Sequence, residues 1–557
     1  MSNNNNMNKK SNRNRRRIAA VAVAMALLLA AALSACSPSA QGDGDSQGDS
    51  DRQGKAAETE GINIFVGDTI FSSSLDPVKG AMSYGYPFTN IALLKVSPDS
   101  EYIGDAATEW SVSDDALTYS FTLREGVKFS DGSELTAEDV VFTYETVKAN
   151  QAENVDVDLT KLASANVGEG GTVVFTLSEP YSPFLDTAAM LGIVPKGSYD
   201  SDVFDRMPIG AGPWKVAQHD PNQQIIVEPN EYYYEGAPSI PRITFVNMET
   251  DAAIAAAKSG QLDVVMVDPN FAGEEIAGMH IEKLPTMDIR MISLPVVGKQ
   301  SAKDADGNEV QVGNDVTADA SVRRALSIGI DRGKIIEDAF NGIGKPAASF
   351  TAGLVWAAPE DVRDGRRDEA KSLLEDAGWT DPDGDGIREK GGVKCSFTVI
   401  ATETSRYQLA AAVSEDAKEL GIQIDVKNGT WDDVGKEQNQ SGVVWGWGQY
   451  SPTVLKSIFY SKSFLSDEGY NVVGYANAGV DGLIDAALSA PSQDAAIANW
   501  KAVQETANAD CPYLYLVNIE HCYFVSDRLD ISLATQIPHP HGHGSPVICN
   551  MKDWSVK

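Results

Sequence analysis

Leu117-Thr118-Tyr119-Ser120-Phe121-Thr122-Leu123, then Ser130-Asp131-Gly132, then Thr136-Ala137-Glu138-Asp139-Val140-Val141 is the stretch on which the fold turns. Leu117, Tyr119, Phe121 and Leu123 alternate with Thr118, Ser120 and Thr122, the period-two pattern of a half-buried strand. Ser130-Asp131-Gly132 supplies a turn. Thr136 precedes Asp139 by three residues and stands ahead of Val140, Val141, Tyr144 and Val147, so a capping box opens an amphipathic helix. The same alternation returns later: Ser396–Ala401 is strand-like, and Ala410, Val413, Ala417 and Leu420 share one helical face. Gly421 stops that helix, and Ile422, Ile424 and Val426 begin another strand. Strand, helix and strand in this order make a βαβ unit with a right-handed crossover. The fold class is therefore α/β, with sheets covered by helices and no repeat array.

Working outward, the N-terminus has a different character. Lys9, Lys10, Arg13, Arg15, Arg16 and Arg17 precede an uncharged, mostly apolar run from Ile18 to Leu33, followed by Ser34 and Ala35. A basic segment, a hydrophobic segment and small residues form a secretory leader over 1–35. The apolar run is shorter than the roughly 20 residues that cross a bilayer. Leu33-Ser34-Ala35-Cys36 resembles the lipobox of bacterial lipoproteins, which implies lipidation at Cys36 and a location on the outer face of the cell membrane. Residues 36–61 are rich in Gly, Ser, Asp, Gln and Ala and read as a flexible acidic tether.

The chain carries a net charge of −34, and the leader holds six positive charges and no acid. The mature surface is thus strongly acidic, which repels phosphate backbones and argues against a nucleic-acid partner. Cys395, Cys511, Cys522 and Cys549 fit no metal-finger or redox spacing, and their pairing is left open. Asp381, Asp383, Asp385 and Gly386 match the first half of an EF-hand loop. The twelfth position is Gly392 instead of a bidentate Glu, so a Gly-Asp turn is expected there. No G-x-S-x-G, S-x-x-K, H-E-x-x-H or P-loop motif is present, so an enzyme is not expected.

Several motifs in order resemble the family 5 extracellular solute-binding proteins, the oligopeptide, dipeptide and nickel receptors of ABC importers. They are the stretch from Glu109 to Val140, Pro208-Ile209-Gly210-Ala211-Gly212-Pro213-Trp214, Asn230 to Tyr234 with Gly236-Ala237-Pro238, and Lys258-Ser259-Gly260-Gln261-Leu262-Asp263. Val322-Arg323-Arg324-Ala325-Leu326 with Ile330-Asp331-Arg332, and Ala370 to Trp379, complete the series. The resemblance implies a two-lobed periplasmic-binding-protein-like fold (type 2, cluster C) with mixed sheets and a hinge. Residues 62–295 and 519–557 would form lobe I with the family's extra subdomain, and 296–518 lobe II. It implies a monomer that captures a small peptide or metal complex between the lobes. The bound solute would pass to a membrane permease, with the lipid anchor holding the receptor nearby and no cofactor required.

Family cleft residues occupy a segment resembling Val443 to Pro452, which makes Trp445, Trp447, Gln449 and Tyr450 ligand candidates. Peptide receptors carry an acid after the Trp that holds the N-terminal ammonium, and Gln449 stands there instead. Trp445 and Trp447, two apart in a strand, face the same way, toward either cleft or core. Arg290, in the strand-like Met287 to Ile292, is either a carboxylate-binding cleft residue or the partner of an interior acid. Tyr84 and Tyr86 are candidates for the cleft rim. His539, His541 and His543 alternate in His-Pro-His-Gly-His-Gly, a pattern that offers three imidazoles to nickel or another divalent metal or forms an exposed turn.

Overall fold

The computed structural model describes residues 61–557 apart from 68, 73, 81–87, 155–156, 352, 360–361, 467–468 and 536–545. The chain enters the main sheet at β1 (Ile62–Phe65) and then builds a separate four-stranded antiparallel sheet. Its strands are β2 (Ala107–Val112), β3 (Thr118–Leu123), β4 (Leu162–Val167) and β5 (Val173–Leu177), in the order β2-β3-β5-β4. The alternation quoted above governs β3: Tyr119 and Phe121 are buried, while Thr122 is exposed. Helix α1 (Ala137–Ala149) lays Val140, Tyr144 and Val147 against them. Its N-terminus is held by the Asp139 carboxylate, which accepts from Thr136 N–H at 2.8 Å and Thr136 Oγ1 at 2.7 Å. The short helix α2 (Phe184–Met190) completes this subdomain.

The main sheet then fills in with β6 (Trp214–Asp220), β7 (Gln224–Pro229), β8 (Ile243–Val246), β9 (Val264–Val267) and the long β10 (Met279–Ser293). Further on come β11 (Ser396–Ala401), helix α3 (Thr404–Lys418), β12 (Gln423–Asn428) and β13 (Gly442–Trp447). Helices α4 (Thr453–Phe459), α5 (Ala478–Leu488) and α6 (Gln493–Asp510) lead to the long β14 (Tyr513–Ser526). The strand order is β12-β11-β13-β10-β14-β9-β1-β8-β7-β6, and Lys345–Pro346 pairs with β14 beside that path.

The predicted βαβ unit is β11-α3-β12, with its strands parallel and Ser396 opposite Gln423. Val426, expected inside, is half-buried, because β12 forms the sheet edge. The glycine-rich turn before β6 is explained by close approach. A Cβ at Gly210 would lie 1.9 Å from Thr89 O, and one at Gly212 2.6 Å from Asn90 N. Two arginines of the helical motif hold the far half together from inside. Arg323 donates to the carbonyls of Thr317, Ala318 and Asp510, and Arg332 to those of Ser327 and Tyr515 and to Asp364.

Strands β10 and β14 belong to both ends of the sheet. Met279–Pro285 pairs with Glu520–Ser526 beside β9, whereas Ile289–Ser293 pairs with Tyr513–Asn518 and with β13. Between these stretches the register jumps, and Thr286, Met287 and Asp288 stand against Ile519 alone. Side chains close the broken ladder. Thr286 Oγ1 donates to Ile519 O at 2.7 Å and accepts from Asp288 N–H at 2.9 Å, while Asn518 Nδ2 donates to Thr286 O and Asp288 O. Thr286→Val removes a donor and an acceptor from a buried break. It is expected to lower unfolding stability by about 1–3 kcal/mol, read in urea as a lower midpoint with an unchanged slope.

Candidate functional site

The register of β13 against β10 decides which way each candidate faces. Trp445 lies opposite Met291, Trp447 opposite Ile289, and Arg290 opposite Gly446. Directly paired residues share a face and neighbours along a strand do not. The two tryptophans therefore stand on one side of the sheet and Arg290 on the other. Arg290 is paired with the buried Asp288 carboxylate, so it has the interior acid that the sequence left as one of two partners. Gly448 is required by close approach: a Cβ there would sit 2.3 Å from Met287 O.

Trp445 and Trp447 divide the roles that the sequence left open. Trp445 is 8% exposed, and its Nε1 donates to Ser293 Oγ at 3.1 Å. Trp447 is half-buried, with its ring 5.4 Å from Tyr470 and 6.1 Å from Phe350. With Trp431, 6.0 Å from Trp445, these rings form a row whose end members Trp431 and Tyr470 are about half exposed, at 51% and 54%. An open aromatic row of this kind offers flat apolar surface to a solute.

Beyond Trp447 the chain runs through the half-buried Gln449 and Tyr450 to Ser451, where it meets the small subdomain. Trp356 Nε1 fixes the segment by donating to Tyr450 O at 2.8 Å. Ser451 Oγ donates at 3.2 Å to Asp186, a carboxylate on α2 that also accepts from the Tyr102 hydroxyl. Next to it, Ser182 Oγ donates to Ala487 O at 2.8 Å, and Gln493 Nε2 donates to Ser182 O at 3.1 Å. Asp186 borders two cavities of about 210 Å³ each. One has a mixed lining, with Asp158, Thr187, Ser451 and Lys456 beside Tyr181, Pro183 and Met190 in its wall. The other is mostly apolar, walled by Tyr102, Leu354, Trp356, Tyr450 and Trp500, with Glu101 at its side. Asp186 is 8% exposed, and burial pushes its pKa from the usual 3.8 up to about 7 against the pull of the two hydroxyls.

Cys36, Tyr84, Tyr86, His539, His541 and His543 lie outside the described residues. No disulfide joins Cys395, Cys511, Cys522 and Cys549 to one another. Burial pushes the Cys395 and Cys522 thiols up to about 12 and about 11. The Asp381, Asp383 and Asp385 carboxylates do converge, but Lys394 pairs with Asp383 and Asp385, and Asp381 accepts from Gly384 N–H and Gly386 N–H. The segment is a turn that carries its own cation. Sequence reasoning passed over Asp186, Tyr102, Ser451 and Trp356. The available signal was an acid in the otherwise apolar Phe184-Leu185-Asp186-Thr187-Ala188, where a solvated helix face would not place one.

Comparison with known proteins adds a consistent set of relatives. The profile of bacterial extracellular solute-binding proteins, family 5 Middle, matches residues 101–470. Protein XP55 of Streptomyces lividans is 31% identical over 456 residues, 79% of this chain and 80% of its own length. The oligopeptide-binding protein AppA of Bacillus subtilis is 29% identical over 426 residues, 72% and 76% of the two chains. Among solved structures, NikZ from Campylobacter jejuni, crystallised with Ni(L-His), superposes with a TM-score of 0.73 at 21% identity. That superposition covers 89% of this chain and 99% of NikZ, and it establishes the two-lobed fold.

Because the folded pKa of Asp186 lies above its unfolded value, its contribution to stability is present below about pH 4 and is lost as pH rises through 7. Asp186→Asn keeps an acceptor for Tyr102 and a donor for Ser451 Oγ but cannot ionise. Thermal melts should show the two proteins nearly matched at pH 4. At pH 8 the variant should be the more stable, by about 1–4 kcal/mol.

Proposed function

Since the chain belongs to family 5 of the bacterial extracellular solute-binding proteins, the receptors of ABC importers, we propose that it captures a small peptide or peptide-like solute between its two lobes and hands it to a membrane permease. One observation supports this reading. The segment from Trp445 to Ser451 leads from the open aromatic row to cavities bordered by Asp186 of α2. A solute lying along it touches both lobes at once, and only contacts made in the closed form and missing in the open one shift the equilibrium. Trp447 and Tyr450 supply apolar walls, and Gln449 offers an amide to the peptide backbone.

The hinge lies in the ladder break at Thr286–Asp288 against Ile519, a few residues before the crossing expected near 295. Two strands with a local register jump bend there with little loss of packing. Cys36 carries the lipid and the tether holds the receptor near its permease, raising the local concentration of each for the other. The protein acts as a monomer on the outer face of the membrane. A second reading, capture of a nickel chelate, rests on His539, His541 and His543 and on the likeness to a nickel-complex structure.

A thermal-shift panel on the mature protein tests both. Di- to octapeptides should raise the melting temperature, by about 2.7 kcal/mol of added stability at a hundredfold excess over Kd. Trp447→Ala should weaken the best peptide at least tenfold, about 1.4 kcal/mol. Response to nickel with free histidine alone, abolished by changing the three histidines to Ala, would favour the second reading. Turnover of the peptides would sink the receptor reading.

A further inference from the structure

Asp186 is unusual among the interior acids. Asp288 is paired with Arg290, Asp416 with Arg367, and Asp263 with Arg528. Asp76, Asp105 and Asp139 are buried without an ion pair as well, but each accepts from at least one backbone N–H, whereas Asp186 accepts only from two hydroxyls and has no ion pair among the described residues. Lys456, in the wall of the cavity with the mixed lining, forms none with it, and the other charged groups around the two cavities, Asp158 and Glu101, are acids. A carboxylate removed from water without a cation is costly. Its neutral form is correspondingly favoured while the cavities hold no cation.

The space around it suits the missing partner. The apolar cavity is lined by Tyr102, Trp356, Tyr450 and Trp500, and the acids in its lining are Asp186 and Glu101. Aromatic walls with a buried carboxylate at one end hold an ammonium or guanidinium by charge and by the ring quadrupoles together. A volume of about 210 Å³ admits one such group with its alkyl stem. The location is also informative. Ser451, bonded to Asp186, is two residues beyond Gln449, the place where an acid is missing.

We infer that Asp186 is the anchor for a cationic group of the captured solute, which selects peptides or peptide-like solutes bearing an ammonium or guanidinium that enters the cavity walled by Trp356 and Tyr450. The acid absent from one lobe is supplied by the other. Binding the cation keeps Asp186 ionised, and an ionised carboxylate accepts more strongly from Ser451 Oγ, which strengthens the contact between α2 and the Tyr450–Ser451 segment. This inference rests on the reading of the chain as a solute receptor.

The test uses the mature protein at pH 8, where Asp186 is ionised, with di- to octapeptides in free and N-acetylated forms. A third probe is butylammonium chloride against sodium chloride at equal ionic strength. Binding is read by calorimetry and by melting temperature. Arginine- and lysine-free peptides isolate the terminal ammonium, and acetylation should weaken them at least tenfold. Asp186→Asn should lose at least tenfold for the free peptides and should bind free and acetylated forms alike. The acetylation comparison is made on the unaltered protein, so it stands even if the variant folds poorly. Equal binding of free and acetylated peptides, or unchanged affinity in a folded Asp186→Asn, overturns the anchor and leaves the receptor reading intact. If no peptide binds in either form, the receptor reading falls and butylammonium decides. A stabilisation specific to it and lost in Asp186→Asn upholds the anchor, and its absence overturns it.

Discussion

The ribbon of β10 and β14 is the constraint on which the rest of the molecule depends. Fourteen- and fifteen-residue strands pass through both ends of one sheet, so neither half is built without the other's backbone. Backbone groups buried in the middle of a sheet must find partners. Where the ladder skips at Thr286–Asp288, the hydroxyl of Thr286 and the amide of Asn518 stand in for the missing main-chain bonds. That arrangement leaves a place in the ribbon held by side chains, with regular pairing before it and a second register shift at Arg290/Met291 just beyond it. It also brings Gly448 against Met287, so the turn that follows the aromatic strand is tied to the same break.

The buried acids find their partners in different ways, Arg side chains for some and backbone N–H groups for Asp76, Asp105 and Asp139. The strongly acidic chain spends its few buried arginines on carbonyls and carboxylates, as with Arg323 and Arg332. Asp288 and Asp416 each receive one. Asp105, whose pKa burial raises to about 6, has Lys95 nearby and the Tyr234 hydroxyl at 2.8 Å. Asp186 has hydroxyls only, and it alone of these borders cavities on two sides. The asymmetry is electrostatic and not a matter of packing, since an amide would fit the same space and the same two bonds.

Local pattern made much of the fold legible. The alternation around Tyr119 and Phe121, the box at Thr136 and Asp139, and the spacing of Ala410, Val413 and Ala417 each report a face, and each face is buried as the pattern requires. Edge position is not local, which is why Val426 came out less buried than its neighbours suggested. The tryptophans were read correctly as sharing a face, but whether that face met core or open surface depended on Phe350 and Tyr470, far away in the chain.

By itself the sequence determined the element types, the βαβ unit, the acidic charge and the absence of an acid at Gln449, because periodicity, charge and residue identity are properties of neighbours along the chain. Only the tertiary structure decided that Arg290 turns away from the tryptophans toward Asp288 and that four thiols stay apart. It also decided that Asp186 meets Ser451 across 265 residues. Those facts follow from strand register and from the packing of one half on the other, and no short-range pattern encodes a distance between segments that meet only after the chain has folded.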